Sequence, residues 1–235
     1  MKVMKYELKT VFDENFFKNK NLVIEKIMRL FQEVASHHAN ELGLGFDNMI
    51  KKNLYWVLLR VKFDIELLPK RNQIILVETW PHEKGRIDFD RDFLIKDEDG
   101  NVLIKATSKW CVIDSIKRMI QRTDQIEYNG EYLNHKNYND KFDKIMYEEN
   151  DNYKYLGNYR VKNDDIDENG HMNNANYARV ALILLDNHNY THFEINFIKE
   201  CMFDDVIEIY SFNNQGKRYI LGKVDEAISF VIYIE

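Results

Sequence analysis

The chain has 235 residues, of which 45% are hydrophobic and 13% aromatic, and its formal net charge at pH 7 is −6. This apolar content is ample for a packed core and excludes a disordered chain. The negative charge argues against general nucleic-acid binding, which requires a basic surface. The N-terminal sequence MKVMKYELKT lacks the apolar core of a signal peptide, and no apolar run is long enough to cross a bilayer. We therefore expect a cytoplasmic protein that neither spans a membrane nor binds nucleic acid.

The first half of the chain predicts a long helix followed by an antiparallel sheet. Lys5–Phe12 alternates weakly, as a strand does, and apolar residues recur at helical spacing over Leu22–Leu42 before Gly43 and Gly45 end the helix. From Tyr55 the pattern changes to strands: every second residue from Val57 to Leu67 is apolar, with Arg60, Lys62, Asp64 and Glu66 between them. Further strands are predicted at Gln73–Trp80, Arg86–Lys96 and Val102–Ile113, with a hairpin turn at Asp97–Gly100.

Lys117–Asn152 differs from its surroundings in composition. It is rich in Asn, Asp, Lys and Tyr, and its apolar residues are scattered. We interpret it as a connecting segment with a short helix near Asn139–Tyr147, and we expect its tyrosines to fix it to a surface.

The second half repeats the first in shortened form. A strand is predicted at Tyr155–Val161 and a helix at Asn174–Asp186. Four strands follow, at His192–Ile198, Asp205–Phe212, Lys217–Val224 and Ala227–Ile234. Val61–Trp80 aligns without gaps with Phe193–Phe212, and apolar residues coincide at positions 61/193, 63/195, 65/197, 74/206, 75/207, 77/209 and 80/212. We therefore predict an α+β protein built by tandem duplication, with units at 1–116 and 153–235 joined by 117–152.

A dense polar stretch, DIDENGHMNNANY, occupies Asp165–Tyr177 and contains two Asp, four Asn, a Gly and a His. Folding alone hardly explains it, because each polar group that is buried must find a partner. The apolar run Val180–Leu185 follows directly, so the stretch is predicted to lead into a helix N-terminus. Free N–H groups there can polarise a carbonyl or hold an anion.

Two other interpretations fit part of this stretch. A turn with Asn173 or Asn174 as the helix N-cap is one, but it leaves His171 unexplained. An EF-hand calcium loop shares the opening Asp-x-Asp-x-Asn-Gly, yet its twelfth position is Asn176 where a Glu is needed, and a strand precedes it. Calcium is thus disfavoured, and we predict no metal site; the two cysteines are expected to be reduced thiols without metal-ligand spacing.

A second polar cluster, Lys199-Glu200-Cys201, follows the strand at His192–Ile198. In the repeat alignment, Glu200 lies opposite Leu68 and Cys201 opposite Pro69. One half thus carries ionisable residues where the other carries apolar or rigid ones, as expected if only one copy keeps the chemistry. The alternative is that Glu200 ends a strand in solvent.

These motifs together resemble the acyl-acyl carrier protein (acyl-ACP) thioesterase family in its bacterial form. The resemblance rests on DIDENGHMNN, on KEC about thirty residues later, and on HHANELGLG, YWVLLRVKFDI, ETW and ATSKWCVID in the first half. It covers roughly Tyr6–Ile116 and Tyr155–Phe212, although Val180 replaces the family's usual Trp after the loop. The resemblance implies a tandem (double) hot-dog fold, in which each unit is a long helix wrapped by an antiparallel β-sheet.

The resemblance also implies a catalytic set of Asp167, Asn169, His171 and Glu200. Glu200 would act as general base on a water that attacks the thioester, while Asn169 and His171 position water and substrate and Asp167 fixes the loop. In an alternative, Cys201 is the nucleophile. We prefer Glu200, because strand alternation would point these two neighbours to opposite faces and leave Cys201 as a packing residue.

The implied reaction releases a fatty acid from acyl-ACP and needs no cofactor. Rivals are an acyl-CoA thioesterase, a hydroxyacyl dehydratase of the same fold and a non-catalytic acyl-thioester or lipid-binding sensor. The acyl chain requires an apolar tunnel. Expected substrate contacts are Asn173, Asn174, Trp56, Phe31 and Met28, with Leu58 and Phe63 as further candidates for the tunnel wall. The alternative is that each is an ordinary loop or core residue. The carrier is acidic, so a docking patch is expected at Lys51-Lys52, Lys70-Arg71 or Lys117-Arg118 with Arg122, and a homodimer is possible.

Overall fold

The computed structural model describes residues 3–19, 21–127, 130–147, 153–185, 190–214 and 216–235. In chain order its elements are β1 (Tyr6–Phe12), β2 (Phe17–Lys18), β3 (Asn21–Leu22), α1 (Ile24–Glu41), α2 (Phe46–Ile50), β4 (Leu54–Ile65), β5 (Gln73–Pro81), β6 (Phe89–Asp97), β7 (Val102–Asp114), β8 (Met119–Ile120), β9 (Lys154–Arg160), α3 (Asn174–Leu182), β10 (His192–Phe197), β11 (Val206–Asn214), β12 (Lys217–Val224) and β13 (Ala227–Ile234). Short 3-10 helices lie at Glu14–Phe16, Thr123–Gln125 and Asn163–Asp165.

The chain divides into two compact units. The first contains Met1–Glu14 and Arg29–Phe142, and the second contains Asn15–Met28 and Asp143–Glu235. Among the helices of the described residues, none is both long and apolar enough to cross a membrane.

The first unit is an antiparallel sheet with most of α1 packed on one face. Its strands lie in the order β1-β5-β6-β7-β4, and β8 pairs with the end of β7. On α1, the ring of Phe31 lies 4.7 Å from Phe93 and 6.0 Å from Phe63 of the sheet, measured between ring centroids. The predicted helix and strands are confirmed, because the helical and alternating patterns each place one apolar face against the other element.

The predicted turns of the first unit are confirmed as well. Gly43 follows α1 with a φ of +73°, a left-handed conformation that ends helices. Between β6 and β7, the Asp97 carboxylate accepts hydrogen bonds from the backbone N–H groups of Asp99 and Asn101, and Gly100 has a φ of +85°.

The second unit repeats this plan with a sheet in the order β10-β13-β12-β11-β9, all neighbours antiparallel. From α3, the Tyr177 ring packs edge-on against Phe197 of β10 and Phe230 of β13. Across β12 and β13, Gly222 pairs with Phe230. A Cβ atom at Gly222 would lie only 2.0 Å from the Phe230 ring, so the ring occupies the space that a side chain would need.

The helix predicted at Asn174–Asp186 is shorter than expected and ends at Leu182. Ile183 and Leu184 are exposed, so these two residues of the apolar run do not extend the buried face of the helix, although Leu185 is buried. Asp186 lies outside the described residues.

The short helix predicted near Asn139–Tyr147 is wrong, since those residues form no regular element. Residues of the connecting segment form hydrogen bonds to the two sheets instead of the local bonds of a helix. In the first unit, the Asn137 side chain donates to the carbonyls of Phe93 and Ala106, and the Tyr138 hydroxyl donates to Asp64. In the second unit, the Ile145 N–H donates to the Asn196 side chain and the Tyr147 ring packs on Phe212. Tyrosines thus fix the segment to a surface, as predicted.

Candidate active site

The polar loop is shaped by Asp167. Its Oδ1 accepts hydrogen bonds from the N–H groups of Asn169 (2.8 Å) and His171 (3.4 Å), and its own N–H donates to the His171 carbonyl (2.8 Å). Gly170 adopts a φ of +82°, which an L side chain would strain. Asp167 and Gly170 therefore close a tight turn that presents His171.

The start of the loop is anchored by a buried carboxylate. Asp165 is only 4% exposed, and it accepts hydrogen bonds from the Tyr159 hydroxyl (2.7 Å) and the Lys162 N–H (2.9 Å). It also pairs with the guanidinium of Arg179 on α3, which lies 3.7 Å from Glu25. These contacts tie the loop to α3 and to the first turn of α1 within the second unit.

The same contacts speak against a calcium loop. Asp165 would be the first calcium ligand, but its carboxylate is paired with Arg179. Asn176, at the twelfth position, is buried and donates from Nδ2 to the Asp165 carbonyl. Across the described ranges, no group of three His, Cys, Asp or Glu side chains could share a metal ion.

Of the two N-cap candidates, Asn173 and Asn174, the structure shows Asn173 as the N-cap of α3. Its side-chain oxygen accepts the N–H of Ala175 at 3.0 Å, and its own N–H donates to the Asp165 carbonyl at 2.8 Å. Asn174, half-buried, is the first residue of the helix. Capping leaves other N–H groups of the first turn without intrahelical acceptors, and the helix dipole favours negative charge there.

The structure brings His171 and Glu200 together from two separate segments. Nε2 of His171 lies 3.1 Å from Oε2 of Glu200, and the two side chains are 26% and 49% exposed. One residue further along each segment, the Met172 N–H donates to the Cys201 carbonyl at 2.8 Å. The pair is therefore held by a backbone bond beside it and remains open to water.

Asn169 stands apart from this pair. It is exposed at the turn, and within the described residues its side-chain amide makes no hydrogen bond to the protein. Of the four predicted catalytic residues, His171 and Glu200 are in direct contact, and Asp167 accepts a hydrogen bond from the backbone of His171. The Asn169 side chain, within the part of the chain described, forms no hydrogen bond with either His171 or Glu200.

Cys201 has an environment unlike that of its neighbour Glu200. It is fully buried, and its Sγ lies 2.9 Å from the hydroxyl of Ser229. Burial raises the pKa of the Cys201 thiol despite its contact with the Ser229 hydroxyl. The thiol is therefore kept neutral, which is unfavourable for a nucleophile.

The predicted acyl-chain contacts lie in or beside the cores of their units. Met28 and Phe31 of α1 are 2% and 4% exposed. Trp56 of β4 is half-buried, donates from Nε1 to the Leu44 carbonyl and meets the Phe89 ring edge-on. Their contact with an acyl chain stays a prediction.

Three residues that shape the site were missed by the sequence analysis: Tyr177, Arg179 and Ser229. Tyr177 occupies an apolar position of an amphipathic helix, so its hydroxyl gave no separate signal. The opposite charges of Asp165 and Arg179 on either side of the loop were the available signal for the ion pair. Ser229, on β13, is far from the motif in sequence.

Comparison with known proteins identifies the family. The family model of the acyl-ACP thioesterase N-terminal domain matches residues 2–129, and that of the acyl-ACP thioesterase C-terminal domain matches residues 147–228. The chain belongs to the acyl-ACP thioesterase family. Among its relatives in this family are oleoyl-acyl carrier protein thioesterase 2 of Arabidopsis thaliana, 31% identical over 81% of this chain, and palmitoyl-acyl carrier protein thioesterase of Gossypium hirsutum, 27% identical over 79%. The chain spans 58% and 49% of the length of these relatives.

Solved structures from this family share the fold. An acyl-ACP thioesterase from Bacteroides thetaiotaomicron superimposes with a TM-score of 0.85 at 21% identity, covering 98% of this chain and 97% of that one. The 12:0-ACP thioesterase from Umbellularia californica gives 0.83 at 20% identity, with 99% and 96% covered. The predicted α+β double hot-dog fold of the acyl-ACP thioesterases is thereby confirmed.

Proposed function

We propose that this chain hydrolyses the thioester bond of acyl-ACP and releases a free fatty acid. The observation that carries the proposal is the His171–Glu200 pair, 3.1 Å apart and open to water beside the N-terminus of α3. Membership of the acyl-ACP thioesterase family supports it, as do the names of the relatives, which are thioesterases of oleoyl- and palmitoyl-acyl carrier protein.

In the proposed mechanism, Glu200 is the general base. Its half-exposed carboxylate takes a proton from water as the water oxygen attacks the thioester carbon. His171 orients the carboxylate through their contact, receives the proton that Glu200 has taken from water and passes it to the departing sulfur when the carbon–sulfur bond breaks, which restores both side chains. No metal or organic cofactor takes part in these steps.

The negative charge that develops on the carbonyl oxygen requires hydrogen-bond donors. Free N–H groups of the first turn of α3 suit this role, because the positive end of the helix dipole adds to their effect. Asp167 holds the loop that carries His171, and Asn169, Asn173 and Asn174 contact the substrate around the thioester. These roles extend the family resemblance to the residues at the matching positions.

The acyl chain and its carrier each require contacts of their own. Phe31 and Trp56, in the first unit, and Met28, in the second, are the proposed acyl-chain contacts. The acidic carrier is proposed to dock on exposed basic residues, such as Lys51 and Lys52 in the turn after α2. Arg71, by contrast, is paired with Glu14. The carrier, its docking site and a homodimer stay predictions.

Steady-state hydrolysis of acyl-ACP and acyl-CoA thioesters of several chain lengths tests the proposal. We expect wild type to cleave acyl-ACP, and Glu200→Gln to lose about 10²-fold or more in kcat, because a general base typically contributes 10²–10⁴-fold. Glu168→Gln is the matched control, since Glu168 is an exposed carboxylate in the same loop. Faster turnover of acyl-CoA would reassign the carrier. Tight acyl-ligand binding without turnover would instead make the chain a sensor.

A further inference from the structure

The segment that carries Glu200 lies outside regular secondary structure. β10 ends at Phe197, and Lys199, Glu200 and Cys201 are not part of a strand. A half-exposed carboxylate on an irregular backbone has many accessible positions, so its contact with His171 requires that the backbone be fixed from outside.

Four hydrogen bonds fix the backbone on both sides of Glu200. Before it, the Lys199 N–H donates to the Ser229 carbonyl (3.0 Å), and the Lys199 carbonyl accepts the Ser229 hydroxyl (2.6 Å). After it, the Cys201 N–H donates to the Tyr177 hydroxyl (2.9 Å), and the Cys201 carbonyl accepts the Met172 N–H (2.8 Å). The backbone at Glu200 is therefore held in place through the bonds of its two neighbours.

The Tyr177 hydroxyl is itself well placed. Tyr177 is 3% exposed, and its ring is held edge-on by Phe197 at 5.3 Å and by Phe230 at 5.5 Å. Burial raises the pKa of Tyr177, so the hydroxyl keeps its proton while its oxygen accepts the Cys201 N–H. Because the Ser229 hydroxyl donates to the Lys199 carbonyl, the thiol donates in turn to Ser229. One chain of bonds thus runs from α3 through Cys201 to β13.

We propose that Tyr177 is a positioning residue of the active site, which acts through the Cys201 backbone to hold the Glu200 carboxylate against His171. The same helix that presents N–H groups at its first turn thereby also sets the distance to the base. Cys201 serves as a hydrogen-bonding link in this arrangement. The proposal rests on the proposed hydrolase function for its kinetic consequences but not for the bond itself.

Tyr177→Phe removes the hydroxyl and keeps the ring that packs against Phe197 and Phe230. We expect kcat for acyl-ACP to fall about tenfold or more with KM changed less than about twofold, since misplacing a catalytic group costs the chemical step. Tyr233→Phe is the matched control, because it removes another buried tyrosine hydroxyl of the same unit, one bonded to Glu235 instead.

A double-mutant cycle separates positioning from general destabilisation. If Tyr177 acts through Glu200, adding Tyr177→Phe to Glu200→Gln costs nothing further, whereas a purely structural loss would be equal in both backgrounds. Equal losses, or a Tyr177→Phe variant as active as Tyr233→Phe, would overturn the proposal.

Amide hydrogen exchange tests the bond without any turnover. In wild type, the Cys201 N–H is expected to exchange far more slowly than the N–H of exposed Glu168, and Tyr177→Phe should remove that protection. A wild-type Cys201 amide as fast as that of Glu168 would refute the proposal even if Tyr177→Phe failed to fold. Absence of hydrolysis by wild type would refute the proposed function alone, since amide exchange still decides whether Tyr177 holds this segment.

Discussion

Glu200 and Cys201 are adjacent in sequence but face opposite environments: the carboxylate is 49% exposed and contacts His171, whereas the thiol is fully buried against Ser229. A thiol nucleophile is therefore not expected. Cys201→Ser keeps a hydrogen-bonding group beside Ser229 and leaves the backbone bond to Tyr177 in place, so we expect it to retain more than about a tenth of the wild-type kcat. Loss of several orders of magnitude in Cys201→Ser, measured with acyl-ACP, would restore the covalent mechanism.

Both thiols should be unreactive in the folded protein at pH 8. Burial raises the pKa of Cys111 to about 11 and also raises that of Cys201 above its ordinary value. A raised pKa keeps a thiol protonated, and only the thiolate reacts with disulfide reagents. We expect no fast reaction with Ellman's reagent in buffer and reaction of two thiols in denaturant. Rapid labelling of one thiol in the native protein would contradict this account.

Gly170 and Gly100 offer a matched pair of substitutions. Both have φ near +80°, and a Cβ at either position would meet no atom within 4 Å. Alanine should thus cost each about 1 kcal/mol of unfolding free energy, through backbone strain alone. Only Gly170→Ala should also lower kcat, because Gly170 lies in the turn that presents His171. Equal kcat values for the two variants would show that the turn does not control the site.

Glu78 is predicted to stabilise the first unit at neutral pH. Burial opposes its ionisation, yet hydrogen bonds from Lys5 and Lys96, each 2.8 Å long, hold the pKa of Glu78 below its ordinary value of 4.5. A lowered pKa in the folded state contributes stability above pH 4.5 that is lost as pH falls through the folded-state value. Glu78→Gln should therefore cost about 1 kcal/mol at pH 7, a figure reduced for the partial exposure of the lysines, and progressively less in acid.

Urea denaturation at pH 7 and at pH 3 measures this difference. Glu98→Gln is the control, because Glu98 pairs with Lys9 at 3.1 Å but its side chain is 58% exposed. It should shift the unfolding free energy by less than about 0.5 kcal/mol at either pH. A cost for Glu78→Gln that does not shrink in acid would point to lost packing instead of lost charge pairing.

The sequence was most informative where one periodicity governs a whole element. The alternation from Tyr55 predicted β4, and the helical spacing over Leu22–Leu42 predicted α1, because each pattern places its apolar residues on one buried face. The contact between His171 and Glu200 could be anticipated only from the family motif. Nothing in local sequence determines that two segments about thirty residues apart will meet.

Sequence reasoning failed where backbone groups bond to distant partners. Asn139–Tyr147 has helix-compatible residues, but tertiary bonds such as that from the Ile145 N–H to Asn196 replace the helical ones. The end of α3 was overestimated because Ile183 and Leu184 look like a continued apolar face although both are exposed. The hydrogen bonds from Cys201 to Tyr177 and from Ser229 to Lys199 could not be predicted for the same reason, since each joins elements far apart in the chain.

Because Gly222 and Phe230 approach each other so closely, the residue tolerated at position 222 depends on the residue at position 230. With the aromatic ring lying where a side chain at position 222 would go, a larger residue there requires the ring at position 230 to move or to be replaced by a smaller side chain. Variation among relatives should therefore be concerted, a larger residue at the first position appearing together with a smaller one at the second. A library that randomises both codons at once should recover folded combinations that one-at-a-time scanning would never reach.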